Sequence, residues 1–159
     1  MTVKVGDMVP DGDFEEMTEQ GKVTVTTEEL FGGKRVAMFS VPGAFTPTCS
    51  NQHLPGFVKH SSAIRAKGID VIVCVAVNDA YVMGAWGQAH EVAGKVRMLA
   101  DGNGNWTRAM GLELDATAYG MGVRGKRFSI IVDSGYITHL NIDESGLDVS
   151  SAETLISQA

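Results

Sequence analysis

Apolar runs separated by polar, glycine-punctuated stretches give the chain an alternating pattern. Arg35-Val36-Ala37-Met38-Phe39-Ser40-Val41 reads as a buried strand that ends at Pro42-Gly43. Ile69 to Val77 is continuous and Val-rich, the pattern of a central parallel strand covered on both faces. Lys22 to Thr26 and Arg97 to Ala100 read as shorter strands, and Gly32-Gly33 as a turn between the first of these and the Arg35 run. Arg127 to Asp133 and Tyr136 to Leu140 form a hairpin pattern around Ser134-Gly135. A helix is predicted from Pro47 to about Lys67, with Leu54, Phe57, Val58 and Ile64 as its apolar positions and Gly68 as a stop. Pro55 should kink that helix or split it. Asn78-Asp79 looks like the cap of a helix running to about Ala93. Asn105 to Met110 fits a helical turn or more, and Ser151 to Gln158 a C-terminal helix opened by Ser150 or Ser151. Strands separated by helices, with a late hairpin, predict an α/β sandwich built on a mixed sheet.

Composition narrows this picture. At 159 residues the chain suits one domain spanning 1–159 with a sizeable core, and no repeat or linker divides it. The formal charge of -6 argues against nucleic acid and anionic membranes as partners, since both reward excess Lys and Arg. The longest apolar run, Val71 to Val77, falls far short of the roughly 20 residues that span a bilayer. The start, Met1-Thr2-Val3-Lys4-Val5-Gly6-Asp7, shows no apolar leader. Two cysteines are too few for a disulfide scaffold, so a reduced, cytoplasmic setting is expected.

The segment with chemical content runs from Phe39 to Phe57, where a buried strand ends in a Pro/Gly turn and Cys49 sits as a helix begins. The free N–H groups and positive end of a helix favour the thiolate, which is the nucleophilic form. Thr46 can offer a hydroxyl to the sulfur or to a substrate oxygen, while Pro42 and Pro47 stiffen the loop. A solitary cysteine is more often a small buried hydrophobe than a nucleophile, and location alone leaves both readings open. His53 lies one helical turn after Cys49 and can face the same side, either tuning a thiolate or, as we favour, serving packing or a subunit contact. Taken alone, Arg127 reads as a solvated charge at a strand end, and Arg124 and Lys126 as surface charges.

Pro42-Gly-Ala-Phe-Thr46-Pro-Thr-Cys49 resembles the active-site signature of the peroxiredoxins, and its extension through His53-Leu54-Pro55-Gly56-Phe57 resembles their type II, peroxiredoxin V-like class. Val77-Asn78-Asp79-Ala80-Tyr81-Val82 with Trp86, Leu99 to Gly104, Leu112 to Asp115 and Arg127-Phe128-Ser129 extend the similarity over nearly the whole chain. The resemblance implies a thioredoxin-like fold, with a central mixed sheet flanked by helices in one domain. It also implies a thiol peroxidase, a homodimer, that reduces hydrogen peroxide and organic hydroperoxides. Cys49 would attack the O–O bond and become a sulfenic acid, and Thr46 would hydrogen-bond the sulfur and the peroxide oxygen. Pro42 would shield the pocket, and Arg127 would hold thiolate and peroxide. Phe45 and Trp86, read as apolar groups in turns near the site, would help form the dimer contact.

Cys74, inside the Val-rich run, reads as a buried core thiol. Some type II members carry a second cysteine at this spacing, which makes Cys74 a candidate resolving partner by resemblance, and others place the resolving cysteine in the segment matching Leu147 to Ser151, where this chain has none. An external thiol is therefore expected to recycle Cys49, with glutathione plus glutaredoxin first and thioredoxin second. A redox sensor or scaffold, in which turnover is incidental, is the competing function class. A cysteine hydrolase would need a histidine base and an oxyanion hole, and only His53 hints at either. Gly120-Met-Gly122-Val-Arg-Gly125 matches a dinucleotide fingerprint formally but precedes a strand-like run instead of a helix. Asp101-Gly-Asn103-Gly-Asn105 resembles a calcium loop, yet Trp106 stands where that loop needs Gly and Leu112 where it needs Glu. The four histidines and two cysteines show no metal-ligand spacing, so neither metal nor cofactor is expected.

Overall fold

The two runs richest in buried apolar residues become neighbouring strands at the middle of a seven-stranded sheet. The computed structural model describes residues 1–159. Its strands are β1 (Asp13–Thr18), β2 (Gly21–Thr26), β3 (Arg35–Ser40), β4 (Val71–Ala76), β5 (Arg97–Ala100), β6 (Glu113–Asp115), β7 (Val123–Gly125), β8 (Arg127–Asp133) and β9 (Tyr136–Asp143). Its helices are α1 (Thr27–Phe31), α2 (Leu54–Lys59), α3 (Ser61–Ala66), α4 (Ala80–Ala89), α5 (Asn105–Met110) and α6 (Ala152–Gln158). The sheet order is β2-β1-β5-β4-β3-β8-β9, with β6 and β7 paired separately. β3, β4 and β5 run parallel, while β1 and β8 join them antiparallel and β2 and β9 close the edges. This is the mixed α/β sheet expected, in a thioredoxin-like arrangement.

Strand alternation divides the core into two layers. Ala37, Phe39, Ile72, Cys74 and Ala76 face one layer with Cys49, Leu54, Phe57, Ile64, Trp86 and Leu155, beneath α2, α3, α4 and α6. Val36, Met38, Val73, Val75, Phe128 and Ile130 face the other, with Phe14, Phe31 and Trp106. In the first layer Phe39 and Phe57 stack with ring centroids 4.0 Å apart and planes 10° from parallel. Such a pair adds about 0.5–1.5 kcal/mol beyond the burial of its area. α4 packs so closely on β5 that a Cβ at Gly87 would lie 2.8 Å from Met98 Cγ.

Four local features depart from the sequence reading. Pro55 sits in the first turn of α2, and the chain breaks at His60, between α2 and α3. A proline clashes with the carbonyl four residues upstream, and the chain relieves this by widening the preceding turn. Cys49–His53 is accordingly π-helical, closed by the Leu54 N–H on the Cys49 carbonyl. α4 stops at Ala89 instead of near Ala93, because Glu91 takes a left-handed φ of 55° that no helix can continue through. β1, with the acidic sequence DFEEMT, carries no strand signal of its own; it forms by pairing with β2 and β5, and Glu16 secures it through two hydrogen bonds from Arg97 at 2.7 and 3.1 Å. β6 and β7, three residues each, likewise leave no period-two signal. Asp79 caps α4 and Ser151 caps α6, as the sequence indicates.

Candidate active site

The loop leaving β3 is folded on itself by short-range hydrogen bonds. Gly43 carbonyl accepts from the Thr46 hydroxyl at 2.7 Å, and the Ala44 N–H donates to Asn78 Oδ1 at 3.0 Å. Gly43 is boxed in: a Cβ there would lie 3.0 Å from Met121 Cε and 3.1 Å from Thr46 Cγ2. Phe45 takes a φ of 63°, unusual for a residue with a side chain, and leaves its ring exposed at the loop tip. Pro42 is half-buried at the base of this loop. Arg124 is a strut and not the surface charge expected: half-buried, it donates to Met121 carbonyl at 2.9 Å and Val77 carbonyl at 3.2 Å. Lys126 is half-buried and pairs with Glu144 at 3.0 Å.

Cys49 lies beyond this loop, in the first turn of the helix, and its sulfur is fully buried. Arg127, at the start of β8, is buried as well and donates from Nη2 to Cys49 Sγ at 3.2 Å. The solvated strand-end charge read from the sequence alone is thereby replaced by a buried guanidinium aimed at sulfur. Thr46 holds a different hydrogen bond from the one the resemblance implied. Its proton goes to Gly43, so toward a ligand its oxygen acts as an acceptor. Cys74 is buried in β4 and faces the same layer as Cys49; both thiols are free, and burial pushes the Cys74 thiol well up.

The sequence reading underweighted His53. It packs on Phe39 and Phe57, as favoured there, with centroids 4.9 and 5.6 Å away. Its ring nitrogens are also fully engaged: Nε2 meets Ser150 carbonyl at 2.9 Å, and Arg127 Nη1 meets Nδ1 at 2.9 Å. Burial, reinforced by the Arg127 charge, lowers its pKa from 6.5 to about 3, against opposing pulls from Ser150 and Asp143. Ser150 is held in turn by Asp143, whose carboxylate accepts from the Ser150 hydroxyl at 2.6 Å and from the N–H groups of Asp148, Ser150 and Val149 at 3.0, 3.0 and 3.1 Å. Burial raises the Asp143 pKa, but those four donors outweigh it and hold the group below 3.8. The spacing of His53 from Cys49 was the one available signal; nothing near Ser150 or Asp143 announced this network.

The arrangement supports nucleophilic attack by sulfur on a small partner, with a fixed cation beside the developing charge. It does not support a Cys–His hydrolase, because the lone pair of His53 is taken by Arg127 and not by the cysteine. The discounted motifs resolve structurally. Asp101 accepts from Trp106 N, Thr107 N and Thr107 Oγ1 at 3.3, 2.8 and 2.7 Å, which caps α5, and the glycine run at 120–125 leads into a strand.

The sequence profile of the Redoxin family matches residues 4–156. Peroxiredoxin-2C of Oryza sativa subsp. japonica is 45% identical over 156 residues, spanning 97% of this chain and 96% of that protein. Peroxiredoxin-2D of Arabidopsis thaliana is 43% identical over the same shares of both chains. Reduced Prx3 of Vibrio vulnificus, solved in complex with H2O2, superposes with a TM-score of 0.95 at 42% identity, covering 99% of each chain. The chain belongs to the redoxin family and, within it, to the peroxiredoxins. It is a thiol-dependent peroxidase, an oxidoreductase that takes a hydroperoxide as substrate and a thiol as reductant. No helix is long and apolar enough to cross a membrane.

The depressed pKa of His53 has a signed consequence for stability. Between 6.5 and about 3 the unfolded chain protonates this histidine and the native chain does not, so acid favours unfolding. The contribution is therefore absent above pH 6.5 and grows as pH falls through that window. Thermal unfolding of wild type and His53→Gln across this range should show the wild type losing stability more steeply with acid. A stability difference that stays constant with pH would contradict the buried, neutral state.

Proposed function

We propose that Cys49 is the peroxidatic nucleophile of this peroxidase, within a single domain of residues 1–159. The observation that carries the reading is the 3.2 Å hydrogen bond from Arg127 to a sulfur sealed from bulk solvent. The thiolate attacks one peroxide oxygen in line with the O–O bond. An S–O bond forms, the O–O bond breaks, and the leaving oxygen takes a proton to depart as water or an alcohol. Arg127 stays charged throughout and presents a rigid fork of donors, so it stabilises both the initial thiolate and the charge moving to the leaving oxygen. Thr46 accepts a hydrogen bond from the peroxide O–H, and Pro42 excludes water at the base of the loop.

An external thiol then reduces the sulfenic acid: it displaces hydroxide from sulfur to give a mixed disulfide and water, and a second thiol releases Cys49. Glutathione with glutaredoxin is the reductant we favour, ahead of thioredoxin. Cys74 is a poor resolving partner, because it lies within β4 and Cys49 beyond the end of β3. A bridge needs Cα atoms within about 7 Å with facing Cβ vectors, which would require the Cys49 turn to unwind. Two buried, unpaired thiols suit the reducing cytoplasm, which cell fractionation would test. A homodimer is supported by large apolar side chains left exposed, among them Phe45 at the tip of the loop after β3, Tyr81, Tyr119 and Val123. Trp86, expected to share that role from a turn, is instead buried in α4.

Cys49→Ser should abolish peroxide consumption while leaving the circular dichroism spectrum and unfolding temperature close to wild type. Substantial residual turnover would remove Cys49 from the reaction. Cys74→Ser should keep most of the turnover with glutathione and glutaredoxin; a stoichiometric Cys49–Cys74 disulfide together with lost turnover would make this a two-cysteine enzyme. Sedimentation of the reduced protein at micromolar concentration should give the mass of two chains, and a monomer would end the dimer reading.

A further inference from the structure

Arg127 has a carboxylate directly opposite it in the sheet and does not use it. Arg127 and Asp143 are register partners between β8 and β9, yet no ion pair joins them. Asp143 is turned instead toward Asp148, Val149 and Ser150 and is saturated by their donors. The two terminal nitrogens of the guanidinium divide between Cys49 Sγ and His53 Nδ1. A guanidinium is planar and stiff, so fixing one nitrogen fixes the direction of the other.

The state of the imidazole follows from its partners. A carbonyl oxygen can only accept, so His53 Nε2 carries the proton that meets Ser150. The Nδ1 lone pair is then free to accept from Arg127, which can only donate. A carboxylate at this position would orient the guanidinium equally well, but it would cancel the positive field at the sulfur. A neutral acceptor orients without cancelling. The charged and titratable groups bearing on His53 are Arg127, Asp143 and, through Arg127, Cys49.

We propose that His53 is the positioning residue for Arg127: the Ser150 carbonyl holds it as the Nε2–H tautomer, and its Nδ1 aims the guanidinium at the Cys49 sulfur while leaving the charge unpaired. The proposal rests on the role given to Arg127 under Proposed function. Asp143 is the far anchor, because it holds the loop that presents the Ser150 carbonyl. The device is local to one strand pair and one turn, and it excludes His53 as a proton acceptor during turnover.

Single-turnover oxidation of the reduced enzyme by hydrogen peroxide tests it in five proteins: wild type, His53→Leu, His53→Gln, Arg127→Leu and the His53→Leu/Arg127→Leu double variant. Leucine fills the space between Phe39 and Phe57 without hydrogen bonds, and glutamine can both donate to Ser150 and accept from Arg127. His53→Leu should slow oxidation by about tenfold to a hundredfold, somewhat less than removing an oriented donor outright. His53→Gln should recover most of that loss, and the double variant should be no slower than Arg127→Leu alone. Wild-type oxidation in His53→Leu would overturn the proposal, and so would fully additive losses in the double variant. If Arg127→Leu itself oxidises at the wild-type rate, the role of Arg127 fails first, and that outcome is distinct from the other two. Nitrogen NMR of the wild-type ring needs no variant to fold: it should show one neutral Nε2–H tautomer at neutral and mildly acidic pH. An Nδ1–H tautomer, or a ring that titrates near 6.5, would overturn the proposal.

Discussion

A guanidinium buried beside a sulfur is the constraint around which the rest of this molecule is arranged. An unpaired charge away from water is costly, and an arginine cannot escape the cost by losing its proton. The chain meets the requirement with neutral or polarisable partners, an imidazole nitrogen and a thiol, both within hydrogen-bonding reach of Arg127. Each partner must itself be immobile for the geometry to hold. Ser150 immobilises the imidazole, Asp143 immobilises Ser150, and the turn from Cys49 to His53 fixes the sulfur and the imidazole on one piece of backbone.

The sheet supplies the rigidity on which this depends. β3 and β8 are antiparallel neighbours, so the loop leaving one and the residue opening the other meet at the same end. Phe39 extends the scaffold upward, stacking on Phe57 and touching the ring of His53. Side chains from β3, from the π-turn and from α2 thus form one packed column beneath the Cys49 sulfur. Sites of this kind need support from residues whose own rotamers are locked by packing.

Much of this was legible in the chain, for identifiable reasons. β3 and β4 are covered on both faces, so their apolar runs are unbroken and unmistakable. Asp79 and Ser151 are caps whose preference comes from local hydrogen bonding. β1 was hidden because its strand character comes from neighbours: only Phe14 of its six residues is buried, and the rest read as an acidic loop. Cys49, Thr46 and Pro42 form a contiguous motif and could be found by resemblance. Arg127 lies 78 positions from Cys49; the resemblance implies its place beside the sulfur, and the fold shows that it is buried there and not the solvated charge its own surroundings in the sequence suggest. His53 could be placed on the right side of a turn, but its pairing with Ser150 spans 97 positions and has no local signature.

The wide turn ahead of Pro55 also fixes a length. In a regular helix each residue turns the chain by about 100° about its axis. Adding or removing one residue between Cys49 and His53 would therefore act less as a change of size than as a rotation. The sulfur and the imidazole would swing apart in angle, and a single guanidinium could no longer touch both. The interval is geared: every residue between Cys49 and His53 is a tooth, and the count is fixed even where the chemistry of the exposed Asn51 and Gln52 is free to vary.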